Sequence, residues 1–89
     1  MEEEIARAIA QYRQKTNGKI GPTLRELEEI TGYSFSGIQG KIMVLLERGV
    51  LSAVWLENGD RRRLASRSLD VTEKGLEMLE GANESLETA

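Results

Sequence analysis

Residues 21–51 read GPTLRELEEITGYSFSGIQGKIMVLLERGVL, and the fold turns on how this stretch divides. Thr23 follows the chain's single proline and stands three residues before Glu26. This T-x-x-E spacing is a capping box, in which each side chain accepts the other residue's free backbone N–H. A helix therefore starts at Thr23, with Leu24, Leu27 and Ile30 spaced to face inward and Glu26, Glu28 and Glu29 to face water. Gly32 stops it after little more than two turns. Just beyond, Ser34 or Ser36 can cap a second helix whose inward stripe is Ile38, Ile42 and Leu45 and which ends at Arg48 and Gly49. Two short helices joined by so few residues, with glycine in the turn, form a helix-turn-helix unit.

Working outward, Ile5, Ala8, Ile9 and Tyr12 recur at spacings of three and four, which predicts a helix from Glu2 to about Lys15. Asn17-Gly18 closes it with residues that tolerate a left-handed cap, and Gly21-Pro22 extends the break. On the other side, residues 50–57 are rich in Val, Leu and Trp, and Asn58-Gly59 is a strong hairpin signal. Residues 60–71 then return as the second strand. Asp70-Val71-Thr72-Glu73 leads into a last amphipathic helix with Leu76 and Leu79 on one face, and the small, acidic residues from Gly81 are expected to fray. The expected order is α1-α2-α3-β-β-α4. It is a mainly α fold with a small β-hairpin, one domain over residues 1–80 with a flexible acidic tail over 81–89.

Composition narrows the function classes. The 89 residues suffice for one core. With neither cysteine nor histidine, disulfides, thiolate metal sites and nucleophile–histidine catalysis are excluded. The acidic residues mostly lie on amphipathic helical stretches, so no enzyme, metal or cofactor is expected. No apolar run approaches the roughly 18 residues that span a bilayer, which predicts a cytoplasmic protein with no membrane association. The net charge of −3 looks wrong for a nucleic-acid binder until it is divided. Residues 34–67 carry 6 basic and 3 acidic side chains, whereas residues 68–89 carry 1 and 6.

The quoted stretch, with its P-T-x-R-E-L opening, glycine turn and closing L-x-x-x-G-x-L, resembles the N-terminal DNA-binding domain of LexA-type repressors. Further on, LDVTEKGLEML (69–79) is similar to the strand-to-helix segment of MarR-like winged-helix regulators. The two together cover about residues 5–80, and the resemblance implies a winged helix-turn-helix that binds double-stranded DNA. The L-T-x-x-Q signature of LexA-type chains is missing, the recognition-helix residues differ, and the length leaves no room for their peptidase domain. Self-cleavage is therefore not expected.

In such a unit the second helix enters the major groove. With Ile38 and Ile42 turned inward, Ser36, Gly37, Gln39, Gly40 and Lys41 form its outward start, with Ser34 just before it. Gln39 can pair with adenine, Lys41 can reach guanine or phosphate, and serine serves either. Thr23 and Arg25, in the first turn of the preceding helix, are candidate phosphate anchors. Equally, Thr23 can simply cap and Arg25 pair with Glu28 or Glu29. Gly37 and Gly40 each cost about 1 kcal/mol in a helix. Either they let a nucleic acid approach or they pack against the neighbouring helix. G-I-Q-G also matches the backbone-clamping loop of KH domains, but Ile38 belongs to a buried stripe.

Arg61, Arg62 and Arg63 follow the hairpin turn and can reach phosphates or a minor groove, and Arg67 is a weaker candidate at the sheet's flank. Trp55 is a packing residue or a stacking platform. Met43, Val44 and Leu46 make the recognition helix more apolar than one inward stripe requires, which fits burial under another helix or a homodimer interface. The expected function is a non-enzymatic, sequence-specific transcriptional regulator from a prokaryote, a phage or a mobile element, nucleoid-associated when bound, with the sign of regulation left open. The alternative is a protein-protein adaptor on the same fold.

Overall fold

Thr23 does cap: its hydroxyl accepts the Glu26 N–H at 3.1 Å, and the Glu26 carboxylate accepts the Thr23 N–H at 3.0 Å. In the computed structural model, which describes residues 2–81 in full, that box opens α2 (Leu24–Thr31), preceded by α1 (Glu2–Lys15). The side chains of the tail expected over 81–89 lie, from residue 82 onward, outside the described residues. Gly32 ends α2 at a φ of 78°, a left-handed conformation that glycine adopts without Cβ strain, and its N–H caps the Glu28 carbonyl. Tyr33 follows, and Ser34 then caps α3 (Phe35–Glu47) by accepting the Gly37 N–H at 3.2 Å. Of the two serines left open by the sequence, Ser34 is the cap.

The expected ribbon is present but broken in two. Leu51–Ser52 (β1) pairs antiparallel with Asp70–Val71 (β4), and Trp55–Asn58 (β2) pairs with Arg61–Leu64 (β3). Only residues 53–54 separate β1 from β2, whereas residues 65–69 separate β3 from β4. The surplus cannot stay in the ladder, so it leaves the ribbon. Ala65 donates to the Val54 carbonyl at 2.8 Å, and the Ser68 hydroxyl links Ala65 and Val54 across the gap. The Asn58↔Arg61 register makes Gly59 and Asp60 the central turn residues, one place later than Asn58-Gly59. Gly59 has a φ of 65° and Asp60 is not left-handed, the pattern of a II′ turn, which favours glycine first.

Thr72 starts α4 (Glu73–Thr88): its hydroxyl accepts the Gly75 N–H at 3.1 Å and donates to the Val50 carbonyl at 2.9 Å. A side chain at Gly75 would run into that same carbonyl and into Val71, so the T-E-K-G segment seats the last helix against the small sheet.

Helix α1 is the element on which the others lean, touching α2, α3, α4 and β4. Ile5 and Ile9 from α1 meet Leu27 of α2, Ile38, Ile42 and Leu45 of α3, and Val50, Leu51, Leu69 and Leu79 in one buried cluster. Each such side chain contributes about 1.5–3 kcal/mol by leaving water. Two residues expected inside are not: Ile30 is 54% and Leu76 47% exposed. Ile30 reaches only the rim of the contact with α1, beside Arg7, Ala8 and Gln11. The architecture is nevertheless the α+β order α1-α2-α3-β-β-α4 that the sequence implied.

Candidate nucleic-acid interface

With Ile38, Ile42 and Leu45 buried, the 3.6-residue period turns Ser36, Gly40, Met43 and Glu47 outward, flanked by Gln39 on one side and Gly37 and Val44 on the other. Ser36, Gln39 and Gly40 are exposed, and Met43 and Val44 keep 41% and 38% of their surface. A Cβ placed on Gly40 would meet no atom within 4 Å, so packing against α2 does not account for this glycine. Nor does another described element cover the face, since α4 packs on α1 and β4. The apolar surplus at Met43 and Val44 is accessible surface, while Leu46 packs against the core.

Lys41 faces elsewhere. Its ammonium lies 3.7 Å from the Glu2 carboxylate, which also holds Arg48 at 2.9 Å, in a hollow shared with Glu3 and Glu4. Exposed pairs of this kind add little stability. Their effect here is directional, because the cation in the first half of α3 is drawn to the start of α1.

On the wing, paired residues share a face. Arg62 and Glu57 therefore lie with Trp55 and Leu64, and Arg61 and Arg63 with Asn58 and Leu56. The Arg62 guanidinium stacks 4.4 Å from the centre of the Trp55 ring and lies 3.9 Å from Glu57. Trp55 is thus a platform, for an arginine of its own chain. Between wing and helix runs a groove of about 360 Å³, lined by Gln39 and Met43 of α3 and by Trp55, Arg62, Arg63 and Leu64 of the ribbon. It joins two sets of residues that stand at least twelve positions apart in the sequence.

The other candidates are placed differently. Thr23 spends its hydroxyl on the capping box. Arg25 projects into solvent, stacked 4.4 Å over Phe35 and paired with Glu28 at 3.3 Å. It shares an open depression with Ser34, but Glu28 and Glu29 line that depression too and oppose an anion. In the same turn, a hydrogen bond from Tyr33 to Glu4 pushes the phenol's pKa up.

A polar clasp at the base of the wing was not foreseen from the sequence. Arg67 bonds the Tyr12 hydroxyl at 2.7 Å and lies 3.0 Å from Glu26, while Tyr12 donates to the same carboxylate at 2.8 Å. Glu26 is held below its ordinary pKa, first by the Thr23 N–H, then by the Tyr12 hydroxyl, with the Arg67 charge adding to both. Arg67 itself has a φ of 60°, and its carbonyl accepts the Gly21 N–H at 2.9 Å. Beside it, Arg13 donates to the Leu69 carbonyl at 2.8 Å and lies 3.6 Å from Asp70. The clasp fastens the residues that left the ribbon to α1 and α2. An acidic residue at the capping-box position, an aromatic hydroxyl on an apolar stripe and a lone downstream arginine gave no sign that they would meet.

Among the described residues no group of three potential metal ligands gathers, and no helix is long and apolar enough to cross a membrane. The chain matches no protein-family model and no curated protein.

Proposed function

We propose that this chain is a cytoplasmic, double-stranded DNA-binding regulator of transcription that lays α3 in the major groove and sets the wing arginines on the flanking backbone or minor groove. One observation supports it above the rest: Gln39 of α3 and Arg62 and Arg63 of β3 line a single open groove. A sugar-phosphate strand following that groove would meet the Arg62 guanidinium on one side while base edges meet the helix on the other. The resemblance of residues 21–51 to LexA-type repressors and of 69–79 to MarR-like regulators points the same way.

The test is titration of a fluorescent duplex at several salt concentrations. With about four phosphates engaged, log affinity falls with log salt at a slope of roughly −3 to −4. Replacing Arg61, Arg62 and Arg63 together by alanine removes about three units of that slope and most of the affinity, with Tm unchanged. A second reading, a protein-protein adaptor, is favoured by the exposed apolar pair Met43 and Val44. Failure of the parent chain to retain duplex even at low salt would support it instead.

A further inference from the structure

The outward face of α3 has a chemical bias that its sequence alone did not disclose, because Lys41 counted as a base-reading candidate until its direction was known. That lysine is held in the acidic hollow of Glu2, Glu3 and Glu4. What remains on the exposed face is one carboxamide, Gln39, a serine hydroxyl at Ser36, two apolar side chains at Met43 and Val44, the open site at Gly40 and, in the last turn, the carboxylate of Glu47. Guanine is most commonly read by arginine or lysine at its O6 and N7, and neither residue faces outward here. Adenine is read by a glutamine or asparagine carboxamide across N6 and N7, and thymine by apolar contact with its C5 methyl. Gly40, bare of side chain and of neighbours, lets the helix lie near the groove floor, where those methyls project.

The wing adds an independent bias in the same direction. Arg61 and Arg63 share the ribbon face opposite the Trp55–Arg62 stack and carry no partner among the ion pairs of the described residues. Unpaired arginines at a hairpin tip are drawn most strongly to the narrow, strongly negative minor groove of A·T tracts.

We infer that the duplex this protein prefers is A·T-rich, with adenine opposite Gln39, thymine methyls against Met43 and Val44, and a narrow A·T minor groove under Arg61 and Arg63. The preference presupposes the duplex-binding role proposed above.

The experiment is selection from a duplex library with a randomised core, using the full chain, followed by titration of two synthetic duplexes that share flanks and differ in an A·T or G·C core. The expected result is enrichment of A·T steps and tighter binding of the A·T core. Gln39→Ala should erase roughly five- to a hundredfold of that difference by weakening the A·T complex, the range of one bidentate base contact. Lys41→Ala should leave the difference intact. Enrichment of G·C cores, equal binding of both duplexes with a steep salt dependence, or a core preference that vanishes in Lys41→Ala would overturn the A·T preference and leave duplex binding standing. Failure to retain any duplex would overturn both.

Discussion

The tip and the base of one short ribbon use the same residue type in opposite ways. At the tip, Arg61, Arg62 and Arg63 occupy consecutive strand positions and are all exposed, and Arg62 is steadied by an indole face and a distant carboxylate. At the base, Arg67 and Arg13 are consumed by the fold. They bond the Tyr12 hydroxyl, the Glu26 carboxylate and backbone carbonyls at Leu69 and Gly18. The difference lies in what surrounds each guanidinium. A strand whose neighbours are all solvated cannot supply acceptors for five N–H donors, whereas a segment expelled from its ladder and pressed onto two helices can. Count and spacing of arginines therefore say little about their task, and the geometry of the strand that carries them says much.

The largest expected effect on stability comes from cutting the base while sparing the tip. Arg67→Ala removes the partner of Tyr12 and Glu26 and leaves a Cβ-bearing residue at a left-handed φ. Tm in thermal unfolding should fall clearly, and Arg67→Gly should fall less, because glycine relieves the backbone part of the loss. Duplex affinity and its salt slope, measured where both variants are folded, should stay at the parent values. A fall in affinity comparable to that of the triple tip substitution would erase the distinction between the two regions.

How much of this was legible in the sequence follows the same division. The helices were, because each carries its own boundary chemistry: the capping box at Thr23 and Glu26, the left-handed Gly32, the serine at 34. Local hydrogen bonds decide such ends, and local spacing reveals them. The break in the ribbon was not, because residues 65–69 hold no glycine or proline to mark a departure, and the left-handed position fell on Arg67. The turn was misplaced by one residue for a related reason. Asn-Gly suits one hairpin turn and Gly-Asp another, and only the register distinguishes them. For the candidate interface, the groups on the wing and on α3 could be nominated from the sequence, but not the diversion of Lys41, which depends on an acidic cluster nearly forty positions away. Nor was the clasp legible, since Glu26 passed as a water-facing helical acid and Tyr12 as one member of an apolar stripe.

A smaller effect separates stability from binding on α3 itself. Gly40 sits mid-helix with open space where a side chain would go, so Gly40→Ala should raise stability by about 0.5–1 kcal/mol through helix propensity alone. The same methyl would hold the helix off a groove floor, so duplex affinity should drop while Tm rises. Opposite signs in the two measurements would be hard to obtain from any structural role of the glycine. A rise in Tm with affinity unchanged would show that the gap on this face is not used for close approach.

The smallest effect is a pH dependence rooted in the base. The Glu26 carboxyl is held below its ordinary pKa by the Thr23 N–H, the Tyr12 hydroxyl and the charge of Arg67. A carboxyl whose folded pKa is depressed stabilises the fold fully above its unfolded value, and that contribution is lost as pH falls through the folded one. Tm should therefore be level at neutral pH and decline below the ordinary carboxylate range. Protonation weakens the ion pair with Arg67 and one half of the capping box together. Glu26→Gln keeps a side-chain acceptor for the Thr23 N–H but cannot titrate. Its Tm should start lower and run closer to parallel with the other carboxylates' background, so the parent-minus-variant difference should shrink on acidification. A difference that stays constant, or grows, as the pH is lowered would mean that the charge of Glu26 does not hold the wing's base to α1 and α2.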